Sequence, residues 1–150
     1  MSFADVGSTS GWLIPTFYAK EVWKIDPKTY WKYSEGATHA ANEIAVSSGQ
    51  VDMATDFDRN RNAMIASGKV KEDSNKIIWT SAPLPNDAIA VPAAAKELGA
   101  QVQRILTAIT VEQAKTLLPP RYTGFVPATH ASDETIEKAG IAVGKIKARA

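Results

Sequence analysis

The sequence predicts an α/β fold, a parallel-type sheet covered by helices, with a helix-rich C-terminal segment after it. Three observations predict this. From residue 1 to residue 81, β-branched or aromatic runs alternate with runs whose apolar residues recur at helical spacing, the pattern of strand–helix units in a parallel sheet. Two of the helical runs end on glycine, Gly49 and Gly68, the residue that most readily takes the left-handed turn closing a helix. Beyond "TSAPLPNDAIAV" the alternation stops and helix-like segments follow one another.

The elements are justified in order. Residues 3–6 read as a short strand. Residues 10–23 read as a helix, with Leu13, Ile14, Phe17, Val22 and Trp23 forming an apolar stripe. Pro15 falls in its first turns, where a missing N–H is tolerated. Asp26-Pro27 is a turn signal, and the aromatic run 29–34 reads as a strand. Thr38 caps a helix over 40–48. A strand at 51–55, a helix at 57–67 and a strand at 76–80 complete this part. Pro83 and Pro85 mark an extended connector into a strand at 88–91. Helices are expected at 93–109, 111–118 and 133–147, with Pro119-Pro120 breaking the second from the third. The division expected is 1–81, an α/β ligand-binding segment, and 82–150, a connector with helices.

Composition narrows the function. A chain of 150 residues can bury one real core. Its 17 basic and 16 acidic residues leave a net charge of +1, which is no footprint for nucleic acid. Cysteine is absent, so disulfide and thiol chemistry are excluded, and the 2 histidines lie far apart, which argues against a histidine-rich metal site. No apolar run approaches the ~18 residues of a membrane span, so no membrane insertion is expected. Met1-Ser2 leads straight into strand-like sequence, with no basic and apolar leader regions. No cofactor is expected.

Ligands of open α/β sheets bind at the carboxyl ends of strands. Residues 8–10, 36–39 and 56–58 all fall on such loops. The first, Gly7-Ser8-Thr9-Ser10-Gly11, joins a strand to a helix. A helix start carries unsatisfied N–H groups and partial positive charge, glycine lets a ligand approach the backbone, and the hydroxyls add uncharged donors. Strand, small-residue loop and helix thus form an oxyanion cradle; the alternative is that Ser8 or Ser10 only caps the helix. The Lys-[Ser/Thr] pair of a Walker loop and the three glycines of a dinucleotide fingerprint are missing. His39 stands at a helix start as a donor or as a cap-region residue. Asp56 and Asp58 flank Phe57, where one of them can cap the next helix or the pair can serve acid–base work. Asp87 sits in an extended segment where Asn-Asp favours a turn. Trp12, Trp23, Trp31 and Trp79 read as core or groove walls, His130 as a loop residue, and the tail "KIKARA" as a solvated end.

Four stretches, "FADVGSTSGWLIP", "GATHAANEIAVSSGQVDMAT", "IIWTSAPLPNDAIAV" and "LLPPRYTGFVPATH", taken in order and spacing, resemble the solute-binding proteins of phosphonate, phosphite and hypophosphite ABC importers. The resemblance covers nearly the whole chain and is nearest to the phosphite and hypophosphite binders. It implies a periplasmic, non-enzymatic receptor of periplasmic-binding-protein type II fold, two lobes closing on a small phosphorus oxyanion and docking on a permease. It implies that Gly7, Ser8, Thr9 and Ser10 hold anion oxygens and that His39 donates to them. Asp56 would be ligand-facing or just behind, and Asp87 a hinge-proximal acid accepting from a protonated ligand oxygen. Where aminoalkylphosphonate binders carry an acid, this sequence has Arg59, which favours a ligand without an amine.

Family members are longer. The resemblance implies that residues 1–81 are second-lobe-like and 82–150 the return strand and helices of the first lobe, with the leader, the front of the first lobe and its tyrosine-bearing pocket side missing. An incomplete sheet and helices with uncovered apolar faces would then make a homo-oligomer, with exchanged segments as one form. Two other functions compete with oxyanion binding. One is a folded half-protein without ligand affinity that self-associates. The other is a small hydrolase using Asp56, Asp58 and His39, which needs a metal or nucleophile that the sequence does not display.

Overall fold

The computed structural model describes residues 1–148. Residues 1–84 and 134–148 form one compact unit, and residues 85–133 form another.

The first unit is built around a three-residue strand, β1 (Ser2–Ala4), all of it buried. It pairs in parallel with β2 (Ser34–Ala37) in the register Ser2↔Ser34 and Ala4↔Ala37. Two steps on one strand face three on the other. The extra residue is absorbed as a bulge where Gly36 takes φ +94°. On the other edge of β1, Ala54 makes a single parallel bridge with Ser2. The expected strand at 51–55 is reduced to that bridge for a visible reason. Ser2 N donates to Met53 O (2.9 Å) and Thr55 N to Ser2 O (3.0 Å), but Ala4 N then donates to the Thr55 side chain (3.1 Å), so the ladder stops.

Residues 9–22 form one helix of mixed pitch: a π turn at Thr9–Leu13, the α-helical turn α1 (Ile14–Phe17), and a second π turn at Tyr18–Val22. Pro15 lacks the N–H that an α-helix would aim at the carbonyl of residue 11, and Gly11 O accepts from Thr55 Oγ1 at 2.6 Å. Trp12, Ile14 and Ala19 bury the inner face of this helix, next to Phe3 and Ala4 in the core of the unit.

The aromatic run 29–34 is not a strand. Asp26 Oδ1 accepts from Lys28 N and Pro27 supplies a preset φ, so α2 (Pro27–Tyr30) forms, and the strand starts at Ser34. Helix α3 (His39–Ser47) is capped by Thr38, whose Oγ1 accepts from Ala41 N at 3.1 Å, and Gly49 follows with φ +74°. Helix α4 (Asp58–Ala66) starts on Phe57 without a side-chain cap, which corrects the expectation that Asp56 or Asp58 caps it. No strand forms at 76–80. Ile77 and Ile78 are exposed, and β-branched residues make a strand only where a partner edge receives them. Helix α7 (Glu134–Ala142) packs against the helix of residues 9–22. It is shorter than the predicted 133–147 because Gly144 turns left-handed at φ +77° and Lys145 N folds back to Gly140 O at 2.8 Å. The tail is not simply solvated: Lys145 Nζ lies 4.7 Å from the Trp12 ring centroid, while residues 149 and 150 lie outside the described range. In this unit Trp12 is a core wall as expected, whereas Trp23 and Trp79 meet edge to face on a partly exposed surface with Tyr18.

The second unit holds α5 (Lys96–Thr107) and α6 (Val111–Leu117), close to the predicted helices. Thr110 and Gln113 form a reciprocal capping box at the start of α6. The expected strand at 88–91 is absent, and Ile89 is exposed. Helix α5 buries no residue, and Ala114 is the buried residue of α6.

Candidate functional site

The site grows from the loop between β1 and the helix of residues 9–22. Asp5 turns the chain: its backbone carbonyl accepts from Ser8 N (2.8 Å) and its carboxylate from Gly7 N (2.8 Å). Ser8 is the N-cap, its Oγ accepting from Gly11 N at 3.0 Å. The amides of Thr9 and Ser10, at the mouth of the helix, donate to no protein acceptor among the described residues. Both stand at the positive end of a 14-residue helix. Gly7 is on the loop, but its own N–H is taken by Asp5.

Gly11 answers why the loop closes with a second glycine. A Cβ at this position would collide with Ala4 Cβ and lie 2.7 Å from His39 Cε1. The glycine brings the helix onto the strand and the imidazole, rather than exposing backbone to a ligand.

His39, the first residue of α3, reaches the same loop. Its Nε2 lies 3.1 Å from Ser8 Oγ, and its Nδ1 lies 3.1 Å from Asp56 Oδ1. The second contact has ion-pair distance but poor alignment, so neither of these buried atoms has a hydrogen-bond partner. Asp56 Oδ2 accepts from Asn60 Nδ2 at 2.8 Å, and Phe57 packs edge-on against the His39 ring at 4.7 Å. The structure therefore brings Ser8, His39 and Asp56 into one chain from three separate loops. Asp58 stands apart from it on the exposed first turn of α4, with exposed Arg59 beside it. Asp87 lies in the second unit on an exposed segment without regular structure.

The sequence reading missed the residues that hold this chain in place. Asn42 is fully buried. It accepts from Ser2 Oγ (2.7 Å) and donates to Thr55 O (2.9 Å), tying α3 to β1 and to the segment at 54. Thr55 Oγ1 takes Ala4 N and gives to Gly11 O. Next to Asn42, the buried Glu43 accepts from Asn75 Nδ2 at 2.7 Å with Arg61 Nε 3.8 Å away. Burial raises the Glu43 carboxyl above its usual range, and Asp56 beside it adds to the rise, against the pull of Asn75 and Arg61. The one sequence signal was the polar pair Asn42-Glu43 inside "AANEIAV", where an apolar inner face is expected.

The order hydroxyl, imidazole, carboxylate also occurs in serine hydrolases. Here the hydroxyl caps a helix, and two amides, a hydroxyl and an imidazole are grouped at the helix start, donor types that suit an anion rather than a nucleophilic reaction. One imidazole with one carboxylate falls short of a metal's ligand set, and no cluster of three or more potential ligands occurs among the described residues.

The family model described as the phosphonate ABC-transporter periplasmic substrate-binding protein matches residues 1–133. The chain is also similar to the phosphonates-binding periplasmic protein of Escherichia coli (strain K12), 35% identical over 85 residues. That match covers 57% of this chain and 25% of the relative, so the aligned part spans about a quarter of the relative's length. No helix among the described residues is long and apolar enough to cross a membrane. The mixed α/β architecture with its small parallel sheet agrees with this match, and the chain belongs to the periplasmic phosphonate substrate-binding proteins of ABC transporters, a family of substrate-binding components and not of enzymes.

Proposed function

We propose that this chain binds a small phosphorus oxyanion, phosphite, hypophosphite or a short phosphonate, as the ligand-holding part of an importer's receptor that delivers to a permease. The observation that carries this reading is the pair of unpartnered amides, Thr9 and Ser10, beside a Ser8 hydroxyl already in contact with His39. Residues 1–81 act as the second-lobe-like segment of a type II periplasmic-binding-protein fold. Residues 82–150 supply the return segment and first-lobe helices, and carry Asp87. Arg59 in place of a carboxylate favours an anion without an amine.

Binding follows from the donors. The anion takes the Thr9 and Ser10 amides and the Ser8 hydroxyl. His39 donates from Nε2 to the anion while its Nδ1 faces Asp56. Donors from one wall leave much of the anion's shell in water, so affinity is weak, in the millimolar range.

The test is titration of the 15N-labelled chain with phosphite and methylphosphonate. The Thr9 and Ser10 amides and the His39 ring are expected to shift together. His39→Gln should weaken the effect about tenfold, a loss of ~1.4 kcal/mol. Calorimetry reads the affinity. Unmoved Thr9 and Ser10 amides at high phosphite would overturn the reading, as would micromolar affinity for its weak-binding part.

A second reading, self-association without ligand affinity, draws on the second unit. There Ile105 and Leu117 are each 64% exposed on helices with almost no buried residues. Light scattering on the eluted chain decides it: a monomer at high concentration removes this reading and leaves the first untouched.

A further inference from the structure

Two carboxyl groups meet behind the loop of Ser8. Glu43 follows His39 by one turn of α3, so the two side chains leave the same face of the helix. Asp56, on the loop before α4, faces both. Its Oδ1 lies 3.1 Å from His39 Nδ1, and its carboxyl is a hydrogen-bond neighbour of the Glu43 carboxyl. Glu43 is 3% exposed, and the Asp56 side chain is also mostly shut off from water.

Side chains from three elements surround the pair. Asn75, after the helical turn at Glu72–Ser74, donates from Nδ2 to Glu43 Oε1 (2.7 Å) and to Ser47 Oγ on α3 (2.8 Å). From α4, Asn60 Nδ2 donates to Asp56 Oδ2 at 2.8 Å. Arg61, the next residue, stands with Nε 3.8 Å from Glu43 Oε1. Its donors point elsewhere: Nε to Asn75 Oδ1 (3.0 Å), Nη2 to the carbonyls of Glu72 (2.9 Å) and Asn75 (3.3 Å).

The buried Asp56 Oδ1 has no hydrogen-bond partner. Two buried carboxyls in contact do not readily both ionise, and one proton between them makes one a donor and the other an acceptor. Burial raises the Glu43 carboxyl above its usual range; Asn75 pulls the other way, and the Asp56 contact raises it again. The shared proton therefore sits on Glu43.

We propose that Glu43 is a positioning residue of the anion site: its carboxyl donates to Asp56 and holds that carboxylate against His39 Nδ1, with Nε2 turned toward Ser8. The proton also keeps the pair at one negative charge rather than two behind a bound anion, which lessens its repulsion. The role rests on the oxyanion reading of the loop; the side-chain chain from Glu43 to His39 does not.

The test uses the full chain with 13C-labelled carboxyl groups and 15N-labelled histidine. In the free chain the Glu43 carboxyl should keep the signal of a protonated acid at a pH where exposed glutamates have ionised. Glu43→Ala removes the donor and should move the His39 ring-nitrogen signals. Glu43→Gln should restore them, because its amide donates to Asp56 and its oxygen accepts from Asn75. Hypophosphite is the binding probe, since its single charge stays constant over the pH range used. Glu43→Ala should weaken it about tenfold, and Glu43→Gln about twofold or less. As pH rises through the range above 4.5 in which Glu43 ionises, the parent should lose affinity that Glu43→Gln keeps. The difference between those two curves reports Glu43 alone, and it stands even if Glu43→Ala fails to fold. A Glu43 carboxyl that ionises with the exposed glutamates, ring nitrogens unmoved by Glu43→Ala, a Glu43→Gln variant that behaves as Glu43→Ala, or parallel pH curves would each overturn the proposal. A parent that binds neither hypophosphite nor phosphite overturns the oxyanion reading instead, and the signals of the free chain still decide whether Glu43 positions Asp56 and His39.

Discussion

The two units of this chain are made differently. The first, residues 1–84 and 134–148, is held by polar side chains that meet across long stretches of sequence: Ser2 with Asn42, Ala4 with Thr55, Gly11 with Thr55, Ser8 with His39. The second, residues 85–133, is held mainly by rules that act within a few residues. Its α6 is fastened by the Thr110–Gln113 capping box, and its α5 buries nothing. The comparison teaches where a ligand site can arise. Convergent donors need remote segments fixed to one another, as these bonds fix them in the first unit.

The sharpest way to break the contrast is Gly11→Ala. The new Cβ meets Ala4 and His39 with no room to relax, so the first unit should lose about 3 kcal/mol or more. The change is read by urea unfolding followed at the tryptophans. Backbone amides of α5 and α6 should keep their exchange protection; if they fail together with the first unit, the two are not separately held.

Next in size is Thr55→Val. It preserves shape but strands Ala4 N and Gly11 O, each buried, and should cost about 2 kcal/mol. The His39 resonances should move as well, because Thr55 fixes the helix that carries Ser8. A variant as stable as the parent would show that this network is ornamental.

In the second unit, Thr110→Ala removes the cap of α6 and should cost about 1 kcal/mol, read as faster amide exchange in Val111–Leu117 alone. Any shift in the Ser8 or His39 signals would contradict a local effect.

The smallest effect concerns pH. The Glu43 carboxyl is raised by burial above the ordinary 4.5. The folded chain therefore holds this proton more tightly than the unfolded chain. Its contribution to stability is complete below pH 4.5 and is lost as pH rises through the folded value. Glu43→Gln keeps an acceptor for Asn75 and removes the ionisation. Tm should rise slightly near neutral pH and be unchanged well below pH 4.5. Destabilisation near neutral pH would mean that the Arg61 pairing outweighs burial.

Much of the helical framework was legible. Thr38 and Gly49 bracket α3, Gly68 follows α4, and the helices of the second unit begin and end near their predicted places, because caps and left-handed glycines are decided by neighbours in sequence. Strands were less legible. The run 29–34 is aromatic enough for a strand, yet Asp26-Pro27 starts a helical turn first. The runs 76–80 and 88–91 have the composition but no partner edge, and 51–55 yields one bridge because a threonine side chain replaces the next rung. The loop 7–11 was read as a cradle of Gly7, Ser8, Thr9 and Ser10, and of these the Thr9 and Ser10 amides have no protein acceptor among the described residues. The cap function that stood as its alternative is also present at Ser8.

The sequence by itself determined many of the helix starts and stops, the small-residue turn ahead of the first long helix, and the family pattern along residues 1–133. Only the tertiary structure decided that Gly11 serves packing and that Asn42 and Thr55 hold the Ser8–His39–Asp56 contacts in place. The physical reason is range. A cap closes over three or four residues, so the local sequence states it. A buried hydrogen bond between residues 2 and 42 exists only after the chain between them has folded, and no spacing in the sequence encodes its length.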